Sequence, residues 1–332
     1  MTRRHEHLDE DDVRVRPGRG KSRARSKIRP VHHDVVEAIV TTVDRGRFTA
    51  APLQEPSRRV FAIKARELGR KGVVVGDRVD LVGDTSGGPD SRARIVRRHI
   101  RRTVLRRSAD DNDPVERVVV ANADQLAVVV AAADPQPRPR LIDRTIVAAL
   151  DGGLEPLIVI TKTDLASPDQ LLDLYRPLGV PVLSRSRPDP LDAVLDELRG
   201  RTTVLLGHSG VGKSTLVNAV VPDADRATGV VNDVTGRGRH TSTSAIAFPL
   251  AEGGWLVDTP GIRSFGLAHV DLSRFLHAFP DLECGAAECP RGCTHEDEHC
   301  VLDQYVADGH ANAGRLVSFR RLLSSRSDHD ND

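Results

Sequence analysis

Eight consecutive residues, Gly207-His208-Ser209-Gly210-Val211-Gly212-Lys213-Ser214, carry the pattern of a loop that holds phosphate, with Thr215 directly behind it. Such glycines let backbone N–H groups turn inward around an anion. Lys213 supplies a cation for the outer phosphate oxygens, and the Ser214 hydroxyl suits a phosphate-bound magnesium ion. Thr203 to Leu206 reads as the strand feeding this loop, and Thr215 to Val220 as the following helix, whose N-terminus adds a favourable field. Further on, Asp258 closes an apolar run and is followed by Thr259-Pro260-Gly261. An aspartate there can hold the ion through water, and Gly261 can let its amide approach a terminal phosphate. Thr161-Lys162-Thr163-Asp164 has the make-up of a base-reading loop. The Asp164 carboxylate can accept from the N1–H and 2-amino group of guanine, a donor pair that adenine does not offer.

Asparagine usually opens such a base-reading loop, where its amide ties the loop together. A Thr161 hydroxyl supports fewer hydrogen bonds, so guanine preference is expected with weaker affinity. Ser184-Arg185-Ser186, after another apolar run, is the candidate second base-side loop. Between the phosphate loop and Asp258, Gly236 to Thr243 is rich in glycine and hydroxyls, as a loop that closes a threonine onto magnesium must be. Thr241 or Thr243 is the candidate. Ile262 stands where many nucleotide hydrolases place a water-orienting glutamine, which predicts slow intrinsic turnover and makes His240 the nearest replacement. The base loop precedes the phosphate loop in the chain, the reverse of the ordinary order. These are the parts of a GTPase in a circularly permuted chain.

Cys289, Cys293, His295 and Cys300 form a compact Cys₃His set. Three thiolates and an imidazole suit one tetrahedral zinc ion in a structural role, since four strong ligands leave no open position. Cys284 is a spare thiol and His299 a weaker substitute for His295. The four cysteines are clustered, which in a cytosolic protein points to metal more than to disulfides.

The chain has 332 residues, enough for two or three domains. A net charge of +1 means that any nucleic-acid surface must come from local charge, and 3% aromatic content argues against an extended base-stacking platform. No apolar run approaches a membrane span, and the charged start has no apolar core of a secretory signal. Residues 1–33 read as a disordered charged leader that can settle on RNA. Residues 34–106 contain short β-like pieces at 35–40, 59–63, 77–82 and 93–96. They predict a small barrel of the oligonucleotide-binding (OB) kind, with an SH3-like barrel as the alternative. Arginine fills six of the eleven positions from Arg97 to Arg107, which suggests a stripe that meets phosphate. Residues 107–268 read as an α/β domain with a mostly parallel sheet, its strands at 126–132, 156–160, 180–183, 203–206 and 254–257. Helical spacing covers 140–150, 169–175 and 190–198. Residues 269–325 form the expected α-helical metal-binding domain, and 326–332 a polar tail. Tyr305 to Leu323 reads as a helical end offering Arg315, Arg320 and Arg321 to RNA.

Taken in this order, the motifs resemble the RsgA (YjeQ) family of circularly permuted GTPases. The likeness spans roughly residues 34–323 and rests on Ala121 to Gln125, Thr161 to Asp164, Gly207 to Ser214, Gly238 to Thr243, Asp258 to Gly261 and the Cys289–Cys300 cluster. The resemblance implies an N-terminal OB domain, the permuted GTPase and a C-terminal zinc domain, with Mg²⁺ accompanying GTP. It further implies a cytoplasmic, monomeric factor that binds the 30S subunit and 16S rRNA during late maturation and is released by 30S-stimulated hydrolysis. Thr161 and the short Cys289–Cys293 spacing depart from the family pattern. Two other functions fit the residues less fully: an RNA-binding assembly factor with nucleotide as a slow timer, and a P-loop ATPase or small-molecule kinase.

Overall fold

The computed structural model describes residues 32, 34–69, 72–88, 90–107, 117–222, 224, 245–259, 276–277, 279–296 and 300–327. Five strands make a closed barrel: β1 (Val36–Asp44), β2 (Arg47–Pro52), β3 (Val60–Lys64), β4 (Arg78–Gly83) and β5 (Ala93–Arg98). They run in the order β1-β2-β3-β5-β4, and β4 pairs back onto β1. The β3–β5 pairing is parallel, and the others in the barrel are antiparallel. That order is the OB arrangement, so tertiary pairing decides between the two barrels that periodicity left open. Alternation along the strands buries Ala38, Val40, Val60, Ala62, Val79, Leu81, Ala93 and Ile95 together. The apolar pattern does not mark strand β2, because Phe48 stands among small residues. It forms because Arg45 and Gly46, with φ of 45° and 81°, make a tight hairpin turn that returns it against β1.

A hairpin of β6 (Val104–Arg107) and β7 (Arg117–Ala121) follows, so the expected domain boundary after residue 106 falls inside β6. The α/β part of the sheet contains β8 (Gln125–Ala131), β9 (Glu155–Thr161), β10 (Val182–Ser184), β11 (Thr202–Leu206), β12 (Ile246–Pro249) and β13 (Trp255–Asp258). Its order is β10-β9-β8-β11-β13-β12, parallel except for β12. Every residue of β8 and β11 is buried, as a parallel sheet covered on both faces requires. Val128, Val130, Val204 and Leu206 pack with α1 (Pro139–Asp151), whereas Ala127, Val129 and Leu205 pack with α3 (Asp192–Leu198) and α4 (Lys213–Val220). Helix α2 (Asp169–Tyr175) lies on the α1 side through Leu171 and Tyr175. The C-terminal module contains α5 (Pro280–Ala286), α6 (Val301–Ala307) and α7 (Ala313–Ser327). The single helical end expected over 305–323 is two helices, because Gly309 turns the chain at φ 82°.

Candidate nucleotide site and cysteine cluster

Four neighbouring parallel strands, β9, β8, β11 and β13, end on the same edge of the sheet. That edge is where open α/β sheets bind ligands. Residues far apart in the chain thereby meet: Thr161 to Asp164 leave β9, Gly207 to Gly212 leave β11, and Asp258 ends β13. Ser184 ends β10 alongside β9 and is exposed, as are Asp164, Ser209 and Ser214. The phosphate loop has its shape for steric reasons. A Cβ on Gly207 would lie 2.5 Å from the Val129 carbonyl of β8, so only glycine lets the loop pass over that strand. Gly210 and Gly212 take φ of 84° and 88°, which other residues rarely adopt. Gly212 then hands the chain to α4, whose first residue is Lys213.

Lys213 Nζ donates to the Asp258 carboxylate and to the Thr259 carbonyl, which joins the phosphate loop to the end of β13. Thr259 is itself buried and donates its hydroxyl to Leu205 O at 2.7 Å. On the other side, the buried Thr161 hydroxyl lies 2.5 Å from Val211 O and 3.2 Å from Val130 O. One hydroxyl proton serves two carbonyls, the limitation expected for threonine, yet the stronger contact ties the base-side strand directly to the phosphate loop. Lys162, at φ 56°, reaches the Asp134 carbonyl. Beyond β10, the Ser186 N–H donates to Asp189 at 2.5 Å, and that bond holds the Asp189 carboxyl below the usual carboxylate range. Arg185 is buried beneath this turn.

The cysteine cluster lies between α5 and α6. Cys289 Sγ and Cys293 Sγ stand 3.7 and 3.8 Å from Cys300 Sγ, and His295 Nδ1 stands 3.6 Å from the same atom. Sulfurs on a tetrahedral centre with bonds of ~2.3 Å are separated by about 3.8 Å, so these residues fit one metal ion. Burial, then the neighbouring Cys300, pushes the Cys289 thiol up to about 12. Metal capture here must therefore displace thiol protons. Cys284 is exposed on α5 and stands outside the four-residue set. Arg320 clamps the surroundings, donating to His295 O at 2.9 Å and to both Asp303 oxygens at 2.7 Å.

A model of the RsgA GTPase family matches residues 98–268, slightly more than half of the chain. The chain belongs to the RsgA GTPase family. A small ribosomal subunit biogenesis GTPase RsgA from Ectopseudomonas mendocina is 39% identical over 222 residues, and the match spans 64% of each chain. Its counterpart from Gemmatimonas aurantiaca is 37% identical over 257 residues, covering 75% of this chain and 83% of that protein. The crystal structure of YjeQ from Thermotoga maritima superimposes with a TM-score of 0.66 at 25% identity, covering 89% of this chain and all of that one. The circularly permuted GTPase YloQ shares the fold, with a TM-score of 0.63 at 22% identity and 93% of this chain covered. The RsgA fold thus accounts for the barrel, the permuted α/β core and the C-terminal module.

Several expected residues of this RsgA-family chain lie outside the described residues: His240, Thr241 and Thr243, Pro260 to Ile262, His299, and nearly all of the leader. Two basic clusters need correction. Arg315, Arg320 and Arg321 are not held out for RNA. Arg315 pairs with Asp281 at 2.8 Å and donates to Leu178 O, Arg320 pairs with Asp303, and Arg321 forks onto Asp143 at 3.0 and 3.3 Å. In the Arg97–Arg107 run, Asp80, Asp77 and Asp124 meet Arg97, Arg101 and Arg102. Three of the six arginines in the run thus have acidic partners within the fold itself. Those acidic partners sit far away in sequence, so spacing could not show them.

Proposed function

We propose that this chain binds GTP at the strand-end site and hydrolyses it to GDP and phosphate during biogenesis of the small ribosomal subunit. This reading is supported by the convergence of the ends of β9, β11 and β13 on one sheet edge, where Thr161 contacts the Gly207–Ser214 loop and Lys213 reaches Asp258, in permuted chain order. In this reading Lys213 binds the β- and γ-phosphate oxygens, and amides of Gly207, His208, Ser209, Gly210, Val211 and Gly212 surround the phosphates, with Thr215 behind them. Asp164 reads guanine, Thr161, Lys162 and Thr163 hold its loop, and Ser184 closes the base side. Ser214, Asp258 and Thr241 are the residues to hold Mg²⁺, which neutralises phosphate charge when bound. Gly261 approaches the γ-phosphate, and His240 orients water in place of the apolar Ile262.

Zinc is the ion that the Cys289, Cys293, His295 and Cys300 set suits best, because three thiolates and an imidazole favour it over harder cations. The domain division is 34–106, 107–268 and 269–325, with the first boundary moved ahead of the β6–β7 hairpin that begins at Val104, and with 1–33 as leader and 326–332 as tail. The partner is the 30S subunit through 16S rRNA, met by a cytoplasmic monomer. Exposed Arg47, Arg59, Arg66, Arg78 and Arg94 on the barrel support an RNA-facing surface. Among the described residues no helix is long and apolar enough to cross a membrane. Release follows hydrolysis, through the short link between Asp258 and the zinc module.

The test is GTP hydrolysis by the protein alone, with 30S, with 50S and with excess ATP. Stimulation by 30S alone, insensitive to ATP, is expected, and Lys213→Ala abolishes it. Binding to 30S without stimulation would favour a nucleotide-timed RNA-binding factor. Competition by ATP would return the site to the ATPase class.

A further inference from the structure

We infer that the closing seam of the barrel carries a second metal site, made by Glu37, Asp80 and His99 and suited to a divalent transition-metal ion. It is separate from the cysteine cluster and independent of the nucleotide reading. Glu37 on β1 and Asp80 on β4 are direct cross-strand partners in the pairing that closes the barrel. Two carboxylates facing each other across a ladder repel, unless a cation stands between them. Asp80 is only 2% exposed, so its charge is poorly compensated by water. His99 follows β5, with its backbone fixed by donation to Arg78 O at 2.9 Å, and its Nε2 lies 2.6 Å from Asp80 Oδ1. The ligand atoms of all three residues lie within 4.8 Å of one another.

The donor set has the make-up of an open transition-metal site: one imidazole, two carboxylates and positions left for water. Bonds of ~2.0–2.2 Å at a right angle separate neighbouring donors by about 3 Å, so a small rotation of His99 makes room for the ion. Arg97 Nε stands 3.3 Å from Asp80 Oδ2 and orients the carboxylate so that its other oxygen faces His99, as outer-shell partners of metal ligands do. Glu37, Asp80 and Arg97 together leave the site with one net negative charge, enough to attract a cation. The ion takes the place of the proton in the His99–Asp80 bond and staples β1, β4 and the end of β5. A filled site therefore strengthens barrel closure.

Full-length protein carrying one equivalent of zinc, in excess Mg²⁺ and without nucleotide, is titrated with Zn²⁺. Bound metal, melting temperature and zinc-edge anomalous scattering from crystals are then measured. The expected result is a second equivalent bound per chain, an upward shift in melting temperature, and an anomalous peak between Glu37, Asp80 and His99. His99→Asn and Glu37→Gln, both at accessible positions, should each bind one equivalent only and lose the shift. The buried Asp80 is left intact so that folding is not at issue. A wild-type stoichiometry of one at micromolar free zinc would overturn the inference and leave a plain His–Asp hydrogen bond. So would a second equivalent unchanged in both variants, or an anomalous peak elsewhere.

Discussion

The barrel and the C-terminal module both dock on the α/β core, but by opposite chemistry. The barrel's polar joint is made by backbone groups and the Asn122 side-chain amide, beside apolar packing of Ile39, Ala51 and Val75 against the core. Thr42 of β1 pairs with Ile246 of β12, so the barrel continues the core sheet. Ala121 N donates to Val75 O at 2.9 Å, and Asn122, at φ 56°, donates to Gly76 O and accepts from Arg102 N, both at 2.9 Å. The C-terminal module is joined by α7, whose Leu316, Phe319, Leu322 and Leu323 share a core with α1. Its polar contacts come from arginine side chains. Arg321 forks onto the buried Asp143 of α1 and stacks 5.1 Å from the Tyr175 ring centre. Arg315 reaches Leu178 O at 3.0 Å. A joint of neutral amides depends on steric fit, whereas a joint of charged side chains depends on desolvation and pairing.

The difference can be broken most sharply by metal. Stripping the cysteine cluster with a strong chelator should unfold the C-terminal module, because binding and folding free energy are linked in so small a unit. Hydrogen exchange should then show α5 and α6 unprotected while β1 to β5 stay protected. Loss of protection in the barrel as well would mean that the two joints are not independent.

Next in size is Arg321→Ala. It leaves Asp143 buried without its partner and should lower unfolding stability by about 3 kcal/mol in denaturant titration, the lower end for a broken buried pair because Arg321 is partly exposed. Replacing both partners, as Arg321→Met with Asp143→Leu, should recover most of that loss. Failure to recover would show that the pair does more than offset its own burial.

On the barrel side, Gly76→Ala should cost roughly 2 kcal/mol. Gly76 takes φ 86°, and an added Cβ would meet the Ala121 carbonyl at 2.0 Å, so backbone must move. Its effect should be the same at low and high salt, measured by thermal melts of variant and wild type.

The smallest effect is on pH dependence. Burial raises the Asp143 carboxyl above the usual carboxylate range, with Arg321 opposing. The native state then holds a proton that the unfolded chain has already released. This contribution to stability is full below the usual carboxylate value and is lost as pH rises to the raised one. Across that window wild type should lose melting temperature relative to Asp143→Asn. Parallel curves would remove the assignment.

Much of the chemistry was legible in the sequence because it is local. Gly207 to Ser214 need only their own spacing to bend around an anion, and the Cys₃His set needs only a short loop. The parallel strands were legible because burial on both faces makes continuous apolar runs. Strand β12 and the β6–β7 hairpin were not, since Ile246–Pro249 and Val104–Arg107 are too short for a period and exist through their partners. The arginines were misread for a related reason. Charge on a sequence shows what a side chain can attract, and only the fold shows that Asp143, Asp303 and Asp77 already stand beside Arg321, Arg320 and Arg101.

The sequence alone shows the glycine-rich loop at Gly207 to Ser214, the Thr161 to Asp164 and Asp258 to Gly261 motifs, the compact Cys₃His set and the permuted order, because each is a pattern of residue types within a short segment. Tertiary structure alone decided the OB closure, the strand edge that gathers Thr161, Lys213 and Asp258, and the acidic partners of the arginines. Each of these depends on pairing between segments distant in sequence, where geometry and desolvation in the folded state choose among contacts that composition permits equally.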